Sequence, residues 1–398
     1  MRNSLQKRTW AEVSLDNISH NYRAIRAALP EGCRFLGVVK ADAYGHGAVA
    51  VARLLESEGA DYLAVSCLDE AMELRSAGIT MPLLILGHTP SEYTETLIDN
   101  DITQTVSCLA KAQEFSARAA ALGRQLRIHI KIDTGMSRLG FLCGGDSFDE
   151  GVANVIASCR LPGLLPEGIY THFAVSDEPD ADSERYTHQQ FDLFCRMIDA
   201  VAQRGGVTFA IRHCANTGAV VHYPEMALDM VRPGLLLYGY GDDTGRFGLR
   251  PCMRLVTTIS TIKTYEPDTC VSYGRRFRTQ RRTRMAVLGI GYADGLFRTL
   301  SGKCSFAVAG HKGPPVRQHL HGYVHDRRYR HPRRRRRQSG GDLRPRQRHH
   351  GAQRRGGHHS LRAAVRRVQA RPAGLSPAEA ALTAIWGVWE KRRKAERK

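Results

Sequence analysis

The sequence predicts an α/β fold, in which a TIM (β/α)8 barrel is followed by a C-terminal all-β domain that is incomplete. Between about residues 10 and 240, apolar β-rich runs alternate with helical patterns. Eight such alternations are typical of a barrel, and a doubly wound sheet is the alternative. After about residue 245, strand patterns follow one another with short turns and without helices, which predicts a second, all-β domain.

The predicted barrel strands are Phe35–Lys40, Tyr62–Val65, Leu83–Leu86, Ile102–Val106, Leu126–Ile132, Gly168–His172, Phe209–Arg212 and Ala227–Val231. Predicted helices between them include Asp69–Ala77, Ala110–Leu122 and Ser183–Arg204. The strands predicted for the second domain are Leu255–Lys263, Met285–Gly291 and Ser305–Val308. Polar motifs follow the barrel strands at their C-terminal ends, where barrel enzymes carry their active sites, and this favours the barrel over the open sheet.

The net positive charge is confined to the C-terminal fifth of the chain. From residue 317 onward there are 24 Lys and Arg against 5 Asp and Glu, which accounts for the whole net charge of +19. Residues 1–316 are balanced, as in an ordinary enzyme. We therefore expect a barrel over residues 9–243, the start of a β-domain over 244–317 and a disordered basic segment over 318–398.

Composition excludes several classes of protein. No apolar run reaches the length of a membrane span, and the charged N-terminus is not followed by the apolar stretch of a signal peptide. The ten cysteines show neither CxxC pairs nor metal-type spacing, so they indicate free thiols in a reducing compartment and no metal site. These observations predict a cytoplasmic enzyme without a membrane partner.

The motif around Lys40 is the most informative in the chain. The run Val38–Gly47, VVKADAYGHG, places a lysine at the end of an apolar strand and before a Gly-rich turn. A primary amine in that position can attack the carbonyl group of a cofactor. Other motifs follow predicted strands or lie in turns: Lys131–Gly140, Tyr170–Phe173, Asn216–Gly218, Val231–Gly234, Val271–Arg275 and Gly291–Gly295.

Together these motifs resemble the alanine racemases, fold-type III enzymes that use pyridoxal 5′-phosphate (PLP), over roughly residues 8–318. The resemblance implies that Lys40 binds PLP covalently and serves as one of two catalytic bases. It implies that Tyr273 is the second base and reaches into the site of a partner subunit, since racemisation needs a proton removed from one face of Cα and delivered to the other.

The resemblance also assigns residues around the cofactor. Tyr44 would bind the phosphate together with the Asn216–Thr217 pair, in which threonine replaces the family's serine but keeps the hydroxyl. His172 would stack near the pyridine ring. Arg232 would face the pyridine nitrogen and leave it unprotonated, which disfavours side reactions of the carbanion. Gly234 would allow the backbone to approach the phosphate closely.

Three further residues are assigned around the substrate. Arg138 matches the arginine near the cofactor's phenolic oxygen and the substrate carboxylate, which a planar guanidinium suits. Tyr292 matches the tyrosine that lines the substrate entrance. Lys131 matches a lysine that is carbamylated in some members and then orients the arginine.

The implied function is racemisation of L-alanine to D-alanine for peptidoglycan precursors by a homodimer. A racemase of another small amino acid, such as serine, is one alternative. A single-barrel PLP-binding homeostasis protein without racemase activity is another, although it would lack both the β-strands after residue 250 and the Tyr273 segment. Nucleic-acid binding through the Arg-rich tail is a third, and absent or salt-insensitive DNA binding by residues 317–398 would eliminate it.

The basic tail is explained best by a change of reading frame. When residues 319–327 are encoded as CAT-CTG-CAT-GGA-TAT-GTG-CAT-GAT-CGA, removal of the first base gives Ile-Cys-Met-Asp-Met-Cys-Met-Ile-Asp, similar to the family's Cys-Met-Asp loop. With suitable codons, the same shift converts residues 358–366 into Thr-Ile-Pro-Tyr-Glu-Leu-Leu-Cys-Ala, which resembles the family's Tyr-Glu-Leu-Leu segment. Both matches lie in one frame and in the family's order, and they indicate a frameshift near Gln318.

Sequencing of the gene across codons 310–330 tests this hypothesis directly. We expect nucleotides that restore the family-like frame after a single insertion or deletion. Codons whose alternate frames contain no family-like segment would contradict the hypothesis. The polypeptide as written lacks the methionine and aspartate of the Cys-Met-Asp loop and the phosphate-binding tyrosine, so we expect it to racemise poorly or not at all.

Overall fold

A computed structural model describes residues 8–275, 277–300, 306–308, 311–312, 324–327 and 362–365. The chain divides into two compact units. One contains residues 13–253, and the other contains residues 8–12 and the described residues between 254 and 365. The predicted domain limits, 9–243, 244–317 and 318–398, remain predictions.

The first unit is a nearly closed parallel barrel, as predicted. Its eight strands in hydrogen-bonded order are β10 Met230–Val231, β2 Arg34–Val38, β3 Tyr62–Val65, β4 Leu83–Ile85, β5 Ile102–Val106, β6 Leu126–Asp133, β8 Leu164–Tyr170 and β9 Ile211–His213. The short β7, Phe141–Leu142, adds to β6. Between β9 and β10, the Asp229 N–H donates to the Arg212 carbonyl at 3.1 Å, and the two side chains form an ion pair at 2.7 Å.

The helices lie between the strands in the order that a barrel requires. They are α1 Leu15–Ala27, α2 Ala48–Ser57, α3 Leu68–Ser76, α4 Thr94–Asp99, α5 Leu109–Ala121, α6 Phe148–Cys159, α7 Ala181–Gly205 and α8 Thr217–His222. Polar side chains cap the N-termini of several of these helices. The Ser14 hydroxyl caps α1 by accepting from Asn17 N–H at 3.2 Å, and the Asp180 carboxylate caps α7. No helix among the described residues is both long and apolar enough to cross a membrane.

Alternation along each strand separates two apolar layers. Leu36, Val38 and Tyr62 belong to a cluster built from strand residues in the barrel lumen. Their neighbours Phe35 and Leu63 pack instead in the large outer layer beneath the helices. This period of two is the geometric property that makes apolar runs of four to six residues predict barrel strands.

Predicted and observed boundaries differ most where the backbone leaves the extended region. The prediction Phe35–Lys40 was too long, because β2 ends at Val38 and a left-handed turn begins beyond Lys40. The prediction Ala227–Val231 was also too long. A 3-10 turn, Pro224–Met226, and the positive φ of 48° at Leu228 delay β10 until Met230.

The second unit consists of β-strands in its described part, as predicted. Its strands are β1 Thr9–Val13, β11 Met253–Tyr265, β12 Cys270–Val271, β13 Phe277–Arg278, β14 Thr283–Leu288, β15 Ala307–Val308, β16 His311–Lys312, β17 Val324–Arg327 and β18 Arg362–Val365. The main sheet has the order β16-β15-β18-β11-β14-β17, with β1 on β11. Of the predicted basic segment, only β17 and β18 are described, and its remainder lies outside the described residues.

Asn21 fixes α1 to the segment that follows the barrel's last strand. Its fully buried amide donates to the carbonyls of Leu237 at 3.0 Å and Arg250 at 2.8 Å, and its Oδ1 accepts from Arg250 N–H at 2.8 Å. We expect Asn21→Ala to lower the free energy of unfolding by roughly 2–4 kcal/mol, because it removes the hydrogen bonds of a fully buried amide to three backbone groups.

Urea unfolding of the full chain measures this effect. Asn17→Ala is the matched control on the same helix, because its side-chain amide donates to the Pro251 carbonyl at 2.9 Å in an exposed position. It should cost less than about 1 kcal/mol. Equal losses for the two variants would contradict the assignment.

Candidate active site

Lys40 is followed by an unusual backbone conformation. Ala41, Asp42, Ala43 and Tyr44 all have φ of 54°, with ψ between 38° and 49°, so they form one turn of left-handed helix. For residues with a Cβ, this conformation costs roughly 1–2 kcal/mol each. Strain of this kind persists only where surrounding contacts enforce it, and it concentrates at functional sites.

Two carboxylates hold the strained turn. Glu70 accepts from the Ala41 N–H at 2.9 Å and, through its other oxygen, from the N–H and hydroxyl of Ser66 at 2.8 and 2.7 Å. Asp42 accepts from the Ala48 N–H at 2.8 Å and so begins α2 directly after the turn. The turn is thereby fixed at both ends, and Lys40 is presented from a rigid backbone.

The electrostatic surroundings favour a neutral amine at Lys40. Burial lowers its pKa, and the positive charges of Arg138 and Arg232 lower it further, whereas Glu70 opposes them. A lysine whose pKa is reduced is a better nucleophile and a better base near neutral pH.

Four basic side chains influence the charge state of His172. Burial lowers the pKa of this imidazole well below its usual value, and Arg232, Lys131, Arg138 and Lys40 lower it further, in that order. His172 is therefore neutral at neutral pH. Such a concentration of positive charge suits an anionic ligand.

Arg232 is almost completely buried, with 4% of its surface exposed. Its Nη2 donates to the carbonyls of Thr171 at 2.7 Å and Cys214 at 3.0 Å, and its Nη1 donates to His213 Nδ1 at 2.9 Å. These bonds fix the plane of the guanidinium. None of them uses the Nε–H, which remains a possible donor to a ligand.

Lys131 is buried in the barrel and its Nζ has no hydrogen-bond partner. The amine lies 4.6 Å from the centre of the Tyr170 ring. Burial lowers its pKa well below the usual value, and Arg232 and Arg138 add to this effect against a smaller opposing contribution from Asp133. Among the described residues the amine has no hydrogen-bond partner, and its lowered pKa favours the neutral form.

The loop that carries Arg138 is organised by Asp133 at the end of β6. The Asp133 carboxylate accepts from the backbone N–H groups of Gly135, Ser137 and Arg138 at 2.9–3.1 Å. Gly140 approaches β6 so closely that a Cβ would lie 2.5 Å from the Asp133 nitrogen. The loop is thus held at both ends, while the Arg138 side chain itself is exposed.

Hydroxyl and backbone donors cluster beside the left-handed turn. The Thr217 hydroxyl accepts from the N–H groups of Gly234 at 3.1 Å and Leu236 at 3.3 Å. A Cβ on Gly234 would lie 2.7 Å from the Tyr44 hydroxyl, so only glycine leaves room there. Asn216 caps α8 by accepting from the Ala219 N–H at 3.1 Å. This arrangement of donors suits a phosphate group.

Tyr273 and Tyr292 belong to the second unit and are described with it. Tyr273 is 75% exposed and lies in a short turn in which Ser272, Gly274 and Arg275 have positive φ. Tyr292 is 42% exposed and begins the turn Tyr292–Asp294. Their assigned roles remain predictions.

Sequence reasoning missed Glu70, the buried histidines His129 and His213, and the half-buried Glu167. Glu70 stands in the first turn of α3, where an acidic residue usually stabilises the helix dipole, so nothing in the sequence indicates its bond to Ala41. His129 lies two positions from Lys131 and His213 lies three positions from Asn216, and only the folded barrel brings the two histidines together. Among the described residues no group of His, Cys, Asp and Glu forms a metal site.

Comparison with known proteins agrees with this geometry. The model of the alanine racemase N-terminal domain matches residues 13–242, and that of the C-terminal domain matches residues 252–318. A curated alanine racemase of Clostridium perfringens (strain SM101) is 42% identical over 305 residues, which cover 76% of this chain and 77% of that protein.

Solved structures give the same result. Alanine racemase of Clostridium difficile 630 in complex with cycloserine has a TM-score of 0.77 at 32% identity, over 97% of this chain and 94% of that one. Alanine racemase of Bacillus anthracis with bound L-Ala-P has a TM-score of 0.73 at 27% identity, over 97% of this chain and 94% of that one. Because the N-terminal family match alone spans more than half of its length, this chain belongs to the alanine racemase family.

Proposed function

We propose that this amino-acid racemase interconverts L- and D-alanine by a two-base mechanism that uses PLP. The observation that carries the proposal is a lysine fixed by a strained turn after β2, in the same barrel as the buried guanidinium of Arg232, which follows β10, the strand that pairs with β2. The Bacillus anthracis relative binds L-Ala-P, an analogue of alanine, which supports alanine as the substrate. Serine remains the second candidate, and the ratio of turnover on the two amino acids decides between them.

The residues present fit PLP. Lys40 supplies the amine, and the Tyr44 hydroxyl, Thr217 and Gly234 form a cradle that a Cβ at Gly234 would fill. The Arg232 Nε–H would face the pyridine nitrogen. When bound, PLP supplies the electron sink that makes the α-proton of the amino acid acidic.

The chain's own residues then hold and move the proton. Lys40 takes it from one face of Cα as a neutral amine, in keeping with its lowered pKa. Tyr273 of the partner subunit serves the other face in a homodimer. Arg138 binds the substrate carboxylate, and His172 stays neutral beside the ring. D-alanine is the product that peptidoglycan synthesis requires.

Variants of the two bases test the mechanism. Lys40→Ala should abolish the visible absorbance of lysine-bound PLP and its attachment by borohydride reduction. Tyr273→Phe should retain both but lose racemisation by roughly a hundredfold or more, because it removes only the second base. It should still exchange the α-hydrogen of one enantiomer in D2O, which proton NMR detects even when net turnover is small.

The control is the same pair of variants in a gene with the restored reading frame. The family match ends at residue 318, the position of the proposed frame break. Exchange of both enantiomers by Tyr273→Phe would overturn the two-base assignment. Retained absorbance in Lys40→Ala would overturn the cofactor assignment.

Lys131 has the properties of a carbamylated lysine, and we include this modification in the proposal. Its neutral, unpartnered amine can add CO2 and release one proton, and the resulting carbamate would place a negative charge between Arg138 and Arg232. We expect a carbamate ¹³C resonance after equilibration with ¹³C-bicarbonate. The signal should be absent from Lys131→Arg, whose guanidinium does not form a carbamate, and its presence there would contradict the assignment.

A further inference from the structure

Three hydrogen bonds cross the interior of the barrel from Arg232 to Glu167. Arg232 Nη1 lies 2.9 Å from His213 Nδ1, His213 Nε2 lies 2.9 Å from His129 Nδ1, and His129 Nε2 lies 3.1 Å from Glu167 Oε2. Both imidazoles are completely buried. We call these four side chains the relay.

The two ends determine the direction of every bond in the relay. A guanidinium only donates, so His213 Nδ1 accepts and its proton lies on Nε2. His213 therefore donates to His129 Nδ1, and His129 donates through Nε2 to the carboxylate of Glu167. Each imidazole must be neutral for this pattern. Burial lowers the pKa of both imidazoles, most strongly that of His213, and this is consistent with neutral rings.

The relay connects the positive charge of Arg232 to the negative charge of Glu167, and these two side chains differ in their other partners. Among the described residues, the other hydrogen bonds of Arg232 go to the carbonyls of Thr171 and Cys214 and to His172, and none goes to a carboxylate. Glu167 has an exposed fraction of 25%, accepts from the Tyr62 hydroxyl at 2.5 Å and lies 3.7 Å from Arg127 Nε. Burial raises its pKa, but hydrogen bonds from His129 and Tyr62 outweigh burial, so the carboxylate is ionised.

We propose that Glu167 is the counter-charge of Arg232, transmitted by two polarised imidazoles, and that Glu167 and His129 are positioning residues for the arginine. Aligned hydrogen bonds polarise one another in a low-dielectric interior, so a carboxylate at one end stabilises a guanidinium at the other. The consequence for cofactor binding rests on the proposed PLP site, whereas the proton positions in the relay do not depend on it.

The position of the protons is measurable in the full chain. Long-range ¹H–¹⁵N NMR of ¹⁵N-histidine protein distinguishes the two neutral tautomers, and His129→Gln and His213→Gln identify the two resonance sets among the 17 histidines. We expect both imidazoles to carry the proton on Nε2. An Nδ1–H tautomer at either residue in the unmodified protein would overturn the proposal without any further variant.

Glu167→Gln removes the charge but keeps the size of the side chain. Because Arg232 still fixes the direction of the hydrogen bonds, we expect both imidazoles to keep the proton on Nε2. The loss of the negative charge should weaken the polarisation and shift the ring ¹⁵N resonances and the Nε2–H proton resonances of His129 and His213. Tyr62→Phe is the matched control, since it removes a bond to the same carboxylate oxygen but lies outside the relay. It should leave the ring resonances of both histidines nearly unchanged. Identical spectra for Glu167→Gln and the unmodified protein would refute the transmitted charge, as would equal changes in the two variants.

The affinity for PLP gives the second readout. We expect Glu167→Gln to weaken PLP binding roughly tenfold and Tyr62→Phe less than about twofold, measured by absorbance titration. In an Arg232→Gln background, Glu167→Gln should have no additional effect, since the charge that it compensates is gone. Additive effects in the double variant would overturn the coupling. If the unmodified chain does not bind PLP, the proposed function fails, and the NMR measurement still decides the relay.

Discussion

A buried guanidinium at Arg232 is the constraint on which the site depends. Removing a cation from water is costly unless every donor finds an acceptor. Here the acceptors are carbonyls that follow β8 and β9, together with the relay imidazole His213. The hydrogen bonds of the Arg232 guanidinium therefore fix the C-terminal ends of β8 and β9 relative to each other. Burial is the main cause of the lowered pKa of Lys40, Lys131 and His172, and the charge of Arg232 lowers all three further.

The left-handed turn after Lys40 is the second constraint. It holds the amine whose pKa the buried Arg232 helps to lower. Its four residues with positive φ store strain that Glu70 and Asp42 must offset through hydrogen bonds to the backbone. A relaxed turn would allow the lysine to sample many positions. A turn held by two carboxylates keeps the amine near the cations that lower its pKa, and it places Tyr44 beside Gly234.

The sequence predicted the barrel and most strand positions because alternating burial imposes a period of two that apolar residues reveal. It also placed most of the candidate site residues just after barrel strands, whose C-terminal ends converge, and the roles of these residues remain predictions. It could not predict the left-handed turn, because Ala41 and Ala43 have no preference for positive φ and tertiary contacts impose it. Glu70 and Glu167 act through partners distant in sequence, such as the bond of Glu167 to His129, 38 positions away. No local pattern contains that information.

The barrel carries the residues proposed to bind the cofactor, and the β-domain carries the proposed second base. The proposed frame break therefore affects these two functions differently. Lys40, Arg138 and the four side chains of the relay all lie within residues 13–242, which the N-terminal family model matches. The proposed second base, Tyr273, lies in the β-domain, whose family match ends at residue 318. Cofactor binding therefore depends mainly on the intact barrel, apart from the tyrosine of the missing Tyr-Glu-Leu-Leu segment. Racemisation needs both faces of Cα, so it depends on the part of the chain in which the family's sequence is interrupted.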